Sequence, residues 1–166
     1  MQNNIYITYN PDSEKDKILA NDLYNKGRQN GYFIYLPERN YSGKLSPRTK
    51  TNIDSSKWFV IFSTSPLSET VTKEIEYAFK SKKDNQIIVI YSSHSGKNIN
   101  FSERKPIEMY IDDYDINSIE KFKNDLFEKI APKTIEKKEG LSALEILLGI
   151  GAAVLLLSAL TKGDKD

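Results

Sequence analysis

The sequence predicts one α/β domain of flavodoxin-like order, with helices on both faces of a five-stranded, mainly parallel sheet. Two observations carry this. Up to about residue 130, short apolar β-rich runs alternate with amphipathic stretches of helical period. The junctions between them hold serine caps, Pro, Gly and Asn-Asp turn signals. A third observation adds an appendage: Leu141 to Thr161 is apolar on all sides, as a membrane-spanning helix would be.

Ile5 to Tyr9 reads as the first strand, closed by Asn10-Pro11-Asp12. Ser13, with Asp16 three residues on, resembles a capping box opening a helix that carries Ile18, Leu19, Leu23 and Tyr24 on one face and stops near Gly31. Tyr32 to Leu36 is a second buried strand ended by Pro37, and a polar loop from Glu38 to Leu45 contains Gly43. Ser46-Pro47 starts a short helix, serine as cap and proline in the first helical position. Trp58 to Phe62 is the third strand, Glu69 to about Lys82 a helix, and Gln86 to Tyr91 the fourth strand. Ser92 to Lys105 is a long polar loop, Ile107 to Ile111 a weaker edge strand. Ile119, Phe122, Leu126 and Ile130 repeat at helical spacing and define the last domain helix.

Composition removes several chemistries. With 24 basic and 23 acidic residues, no global field favours nucleic acid as a partner. The chain has no cysteine and a single histidine, His94, set among serines in a solvent loop. Disulfides, thiolate catalysis and a multi-histidine metal centre are excluded, and no metal site is expected. No glycine-rich phosphate loop of the dinucleotide or P-loop kind occurs.

The organisation expected is a domain over residues 1–131, a charged linker over 132–140, a hydrophobic helix over 141–161 and a polar tail over 162–166. Twenty-one helical residues span about 31 Å, close to the hydrocarbon thickness of a bilayer. Lysines flank both ends of the segment, so charge gives no orientation. No N-terminal signal peptide is visible, so the domain is expected on the cytoplasmic side of a membrane anchored by the C-terminal helix. Gly149 and Ala153, four apart, allow close helix approach, which suits self-association as well as a lone span.

Three stretches in order, IYITYNPDSE, YFIYLPERNYSGKLSPRTKTNI and SSKWFVIFSTSPLSETVTKEIEYAF, together resemble Toll/interleukin-1 receptor (TIR) domains over about Ile5 to Ile130. The second stretch resembles the family's charged, glycine-containing BB loop. Enzymatic members cleave NAD+ at the nicotinamide–ribose bond, giving ADP-ribose or a cyclic isomer. The resemblance implies NAD+ as substrate with no cofactor, Glu74 as the catalytic carboxylate, self-association through the TIR domain, and a setting in bacterial anti-phage defence. One departure stands out: Thr70-Val71 occupies the place where many members have Trp-Cys.

Glu76 competes with Glu74. At 100° per residue, Glu74 lies about 40° outside the apolar arc of Val71, Ile75, Ala78 and Phe79, and Glu76 about 60° outside it on the other side. That angle does not decide between them; the spacing from the preceding loop favours Glu74. Tyr9, Asn10 and Asp12 after the first strand, with Arg39, Asn40, Tyr41 and Gly43 in the BB loop, are the expected binding walls. Tyr9 or Tyr41 would stack on a ring and Arg39 would meet a phosphate. Two other functions compete: a non-enzymatic TIR scaffold or adaptor, and a membrane-disrupting effector assembled through its TIR domain.

Overall fold

The structure is a computed structural model that describes residues 3–38, 44–99, 101 and 103–131. The chain divides into two units, Met1–Ile130 and Ala131–Asp166. The expected linker, the apolar segment 141–161 with Gly149 and Ala153, and the tail lie outside the described residues. Among the described residues no helix is long and apolar enough to cross a membrane.

In chain order the elements are β1 (Asn4–Thr8), α1 (Glu14–Gln29), β2 (Phe33–Tyr35), α2 (Pro47–Ser55), β3 (Trp58–Ser63), α3 (Glu69–Ser81), β4 (Ile87–Ser92), β5 (Ile107–Ile111) and α4 (Ile116–Ile130). The sheet order is β2-β1-β3-β4-β5 and every pairing is parallel. The five strands and their helices are those expected, and the ends differ by one or two residues. β2 is shorter than its apolar run because only Phe33 to Tyr35 pair with β1.

Strand alternation splits the core in two. Ile5, Ile7, Val60, Phe62, Ile88 and Ile90 face Leu19, Ala20 and Leu23 of α1 and Phe122, Leu126 and Ile130 of α4. Tyr6, Phe59, Ile61, Ile87, Val89 and Tyr91 face Ile53 of α2 and Val71, Ile75 and Ala78 of α3. The central strands are buried on both sides, which is why they read as continuous apolar runs rather than alternating ones.

The helix starts follow their caps. Ser46 Oγ accepts from the Thr49 amide at 3.0 Å, and Ser68 Oγ from the Val71 amide at 3.3 Å. At α1 the expectation was half right. Ser13 Oγ accepts from the Asp16 amide at 3.3 Å, but the Asp16 side chain does not reach back to complete a capping box. It turns inward instead, 1% exposed, and accepts hydrogen bonds from Thr64 Oγ1 and from Ser65 Oγ, the latter at 2.5 Å. One buried carboxylate thus ties the start of α1 to the loop after β3. Asp16→Ala orphans both hydroxyls and is expected to cost about 1–3 kcal/mol, read as a lower urea midpoint with unchanged slope.

Candidate functional site

Strand order reverses between β1 and β3, and in open α/β sheets ligands bind at such a switch point, outside the carboxyl ends of the strands. Glu74 lies there. It is in the second turn of α3, only 1% exposed, and faces β1. Its Oε1 accepts from the Tyr6 hydroxyl at 2.8 Å and its Oε2 from the Thr8 hydroxyl at 2.5 Å. Tyr6 and Thr8 are alternate residues of one strand, so both project to the α2/α3 face. The Tyr6 ring is held by Phe59 of β3, stacked at 5.6 Å between centroids and 6° between planes.

Both partners of the carboxylate are neutral hydroxyls. Burial pushes the Glu74 carboxyl above its usual range, and the bonds from Thr8 and Tyr6 offset part of that shift. Burial, then the Glu74 charge beside it, raises the Tyr6 phenol well above its ordinary value, so Tyr6 stays protonated and donates.

Further hydroxyls lie on α2, where Thr49 is 4% exposed. Thr49 Oγ1 lies 3.0 Å from Ser46 Oγ, and Ser46 Oγ lies 2.9 Å from Glu38 Oε2. Glu38 is half-buried, and its other oxygen meets Arg48 Nε at 3.2 Å. On the same face, at the carboxyl ends of β3 and β4, the buried Ser63 and Tyr91 hydroxyls have no hydrogen-bond partner among the described residues. Such orphans are rare in finished cores.

The remaining sequence candidates fall elsewhere. Glu76 is exposed, so the ambiguity left by the helical angle is settled: Glu74 is the inward carboxylate. Tyr9 is corrected as a wall beside Glu74. One residue beyond Thr8, it points to the opposite face, 9% exposed and packed 6.3 Å from the Phe62 ring among the α1 and α4 side chains. Asn10 serves the backbone: its Nδ2 donates to the Pro66 carbonyl at 2.9 Å, and its Oδ1 accepts from the Asp12 amide at 3.1 Å. Asp12 is exposed at that turn. Arg39, Asn40, Tyr41 and Gly43 lie outside the described residues.

His94 is exposed, as its loop suggested, and its Nε2 contacts Asp112 Oδ1 at 2.8 Å. It forms a cluster with Asp112 and Asp113 whose ligating atoms lie within 4.8 Å of one another. Lys15 occupies the Asp113 carboxylate.

Sequence reasoning missed Tyr6 and Thr8 as members of the site. The signal available was parity: in a strand buried on both faces, hydroxyl-bearing residues at positions 6 and 8 mark a polar line on one face.

No known protein-family model matches the chain, and no curated protein matches it. Solved structures do. A diflavin flavoprotein A3 from Nostoc sp. superposes with a TM-score of 0.54 at 13% identity, over 78% of this chain and 94% of that one. A flavodoxin-like domain of a Synechococcus sp. protein gives 0.55 at 14% identity, over 93% of this chain and 99% of that one. The fold is flavodoxin-like. A CMP N-glycosidase from Clostridium botulinum gives 0.47 at 18% identity, over 74% of this chain and 96% of that one. In the flavodoxin-like frame Glu74, Tyr6 and Thr8 sit at the β1/β3 switch point.

Proposed function

We propose that the chain is an N-glycosidase of NAD+ or a related nucleotide, acting as TIR-domain enzymes do, by cleaving the bond between nicotinamide and ribose. One observation carries the reading: a buried carboxylate, Glu74, held by two neutral hydroxyls at the switch point of the sheet. As the C1′–N bond breaks, its electron pair leaves with the nicotinamide nitrogen and positive charge develops on the ribose. A carboxylate in a low-dielectric setting stabilises that charge strongly. Nicotinamide leaves neutral and needs no acid. Water attack on the oxocarbenium carbon gives ADP-ribose; attack by a nitrogen of the same molecule's adenine gives a cyclic product. Tyr6 and Thr8 fix the carboxylate, and desolvation keeps it reactive.

In this reading the domain works at a membrane, anchored by the C-terminal apolar segment and switched on by self-association, in bacterial anti-phage defence. The family's BB-loop residues Arg39, Asn40, Tyr41 and Gly43 would complete the nucleotide site.

A second reading has its own observation. Both Glu74 oxygens are satisfied inside the domain, as they would be if the residue only tied α3 to β1 in a non-enzymatic scaffold. NAD+ consumption by the full-length chain, reconstituted in membranes at high surface density, separates the two. Glu74→Ala is expected to lower turnover by roughly a hundred- to a thousandfold. Glu76→Ala, at an exposed position, is expected to stay within about twofold of the parent. No turnover in any assembled variant moves the protein to the scaffold reading.

A further inference from the structure

Buried hydroxyls in a finished core are paired, as those of Tyr6 and Thr8 are on the Glu74 carboxylate. Two others on the same face of the sheet are not. Ser63 ends β3, and Tyr91 is the residue before the end of β4. Each is 0% exposed, and neither hydroxyl has a hydrogen-bond partner among the described residues. The two are register partners on adjacent parallel strands, so their side chains leave the sheet side by side. Both follow the parity of Phe59, Ile61 and Val89, which is that of Tyr6 on β1.

The strand ladder places the pair relative to Glu74. Thr8, which holds Glu74 Oε2, pairs with Ile61 of β3. Ser63 is two residues beyond Ile61, and Tyr91 lies one strand further across. A strand spacing of about 4.8 Å and a rise of about 3.3 Å per residue put the Ser63 backbone roughly 8 Å from Thr8, and that of Tyr91 roughly 12 Å. The displacement runs outward, toward the carboxyl ends of the strands, where ligands of this fold enter.

The pair is neutral. Burial is the first cause of a Tyr91 phenol pushed above its ordinary value, so it stays protonated and can donate as well as accept. Lys97 lies over the Tyr91 ring at 5.4 Å, with its ammonium paired to Glu108 at 2.7 Å. Two such hydroxyls match a neutral group that carries both a donor and an acceptor, whereas an anion calls for a cation. In NAD+ the ribose hydroxyls are immediate neighbours of C1′ and fall to Glu74 itself. The carboxamide stands a ring's width from C1′ and offers a C=O and an NH2 on one flat group.

We infer that Ser63 and Tyr91 form the subsite for the carboxamide of the leaving nicotinamide. The inference rests on the glycosidase reading of Glu74. Bound there, the carboxamide fixes the ring about the C1′–N bond and keeps C1′ at the Glu74 carboxylate. Asn98 Nδ2, which donates to the Ser63 and Ser65 carbonyls at 3.2 and 3.4 Å, ties the chain after β4 to this end of β3, and the ring reaches the pair by displacing it.

The test titrates nicotinamide into the full-length chain reconstituted in membranes and follows the broadening of the nicotinamide NMR signals. Parent, Ser63→Ala and Tyr91→Phe are compared. Each variant removes a single unpaired oxygen, so both are expected to melt at or above the parent. Each is expected to bind nicotinamide roughly tenfold more weakly. Nicotinate, charged and with no N–H to donate, is expected to bind the parent roughly tenfold more weakly than nicotinamide does, and the double variant to lose that preference. Equal nicotinamide affinity in the parent and both variants, or no binding by the parent, overturns the subsite; NAD+ turnover that persists then leaves the Glu74 glycosidase standing. Binding weakened in both variants of a chain that consumes no NAD+ keeps the nicotinamide site and removes the glycosidase reading instead.

Discussion

Replacing Glu74 by Gln is expected to lower NAD+ turnover by roughly a thousandfold and, at the same time, to make the domain harder to unfold at neutral pH. The two effects share a cause. Burial holds the Glu74 carboxyl above its usual range, because the ionised form is disfavoured away from water. A carboxyl whose folded pKa is raised contributes stability below its unfolded value and loses it as pH rises through the folded one. The parent therefore weakens across that window and the glutamine variant does not. Gln keeps the shape, accepts from one hydroxyl with its oxygen and donates to the other with its amide. Glu74→Gln should melt above the parent at pH 8, and the gap should close as pH falls into the ordinary carboxylate range. Thermal melts at pH 4, 6 and 8 check the sign. A variant less stable than the parent at pH 8 would show that the charged form strengthens the fold, the mark of a structural acid.

Phe59→Ala is expected to give the largest loss of stability of any substitution around the site, about 3–5 kcal/mol. Phe59 is fully buried, paired with Tyr6 on β1 and Ile87 on β4, and stacked on the Tyr6 ring. Its removal opens a cavity at the middle of the sheet, where three strands hold the backbone and little can collapse into the space. A domain of this kind holds roughly 5–15 kcal/mol in total, so much of its margin goes. Phe59→Leu refills most of the volume and should cost less than half as much. It also tests the site, because the fold is kept while the flat surface under Tyr6 is lost. Urea unfolding measures both variants, and a shift in midpoint at constant slope identifies a change in stability rather than in the unfolded chain. If Phe59→Leu keeps full turnover, the aromatic stack plays no part in aiming Tyr6 at Glu74.

The sequence by itself determined the layered α/β architecture. Period-2 and period-3.6 hydrophobicity are local signals, and serine caps such as Ser46 and Ser68 act within one turn, so the elements and their order could be read directly. The resemblance to TIR domains put Glu74 forward as a candidate, and spacing from the loop after β3 favoured it over Glu76.

Tertiary structure decided what the local pattern left open. Glu74 and Glu76 both lay at the edge of the apolar arc of α3; the contacts of Glu74 with Tyr6 and Thr8 of β1, which no helical wheel contains, turn it inward. Tyr9 and Tyr6 are both tyrosines of one strand region, yet parity sends the first to the α1/α4 face and the second to Glu74. Asp16 looked like half of a capping box, but 48 residues further along the chain Thr64 offered its buried carboxylate a better partner. Tyr6, Thr8 and Glu74 join only because the parallel order β2-β1-β3 brings α3 onto one face of β1. Contacts between residues so far apart in the chain are set by packing, and packing is a property of the whole domain.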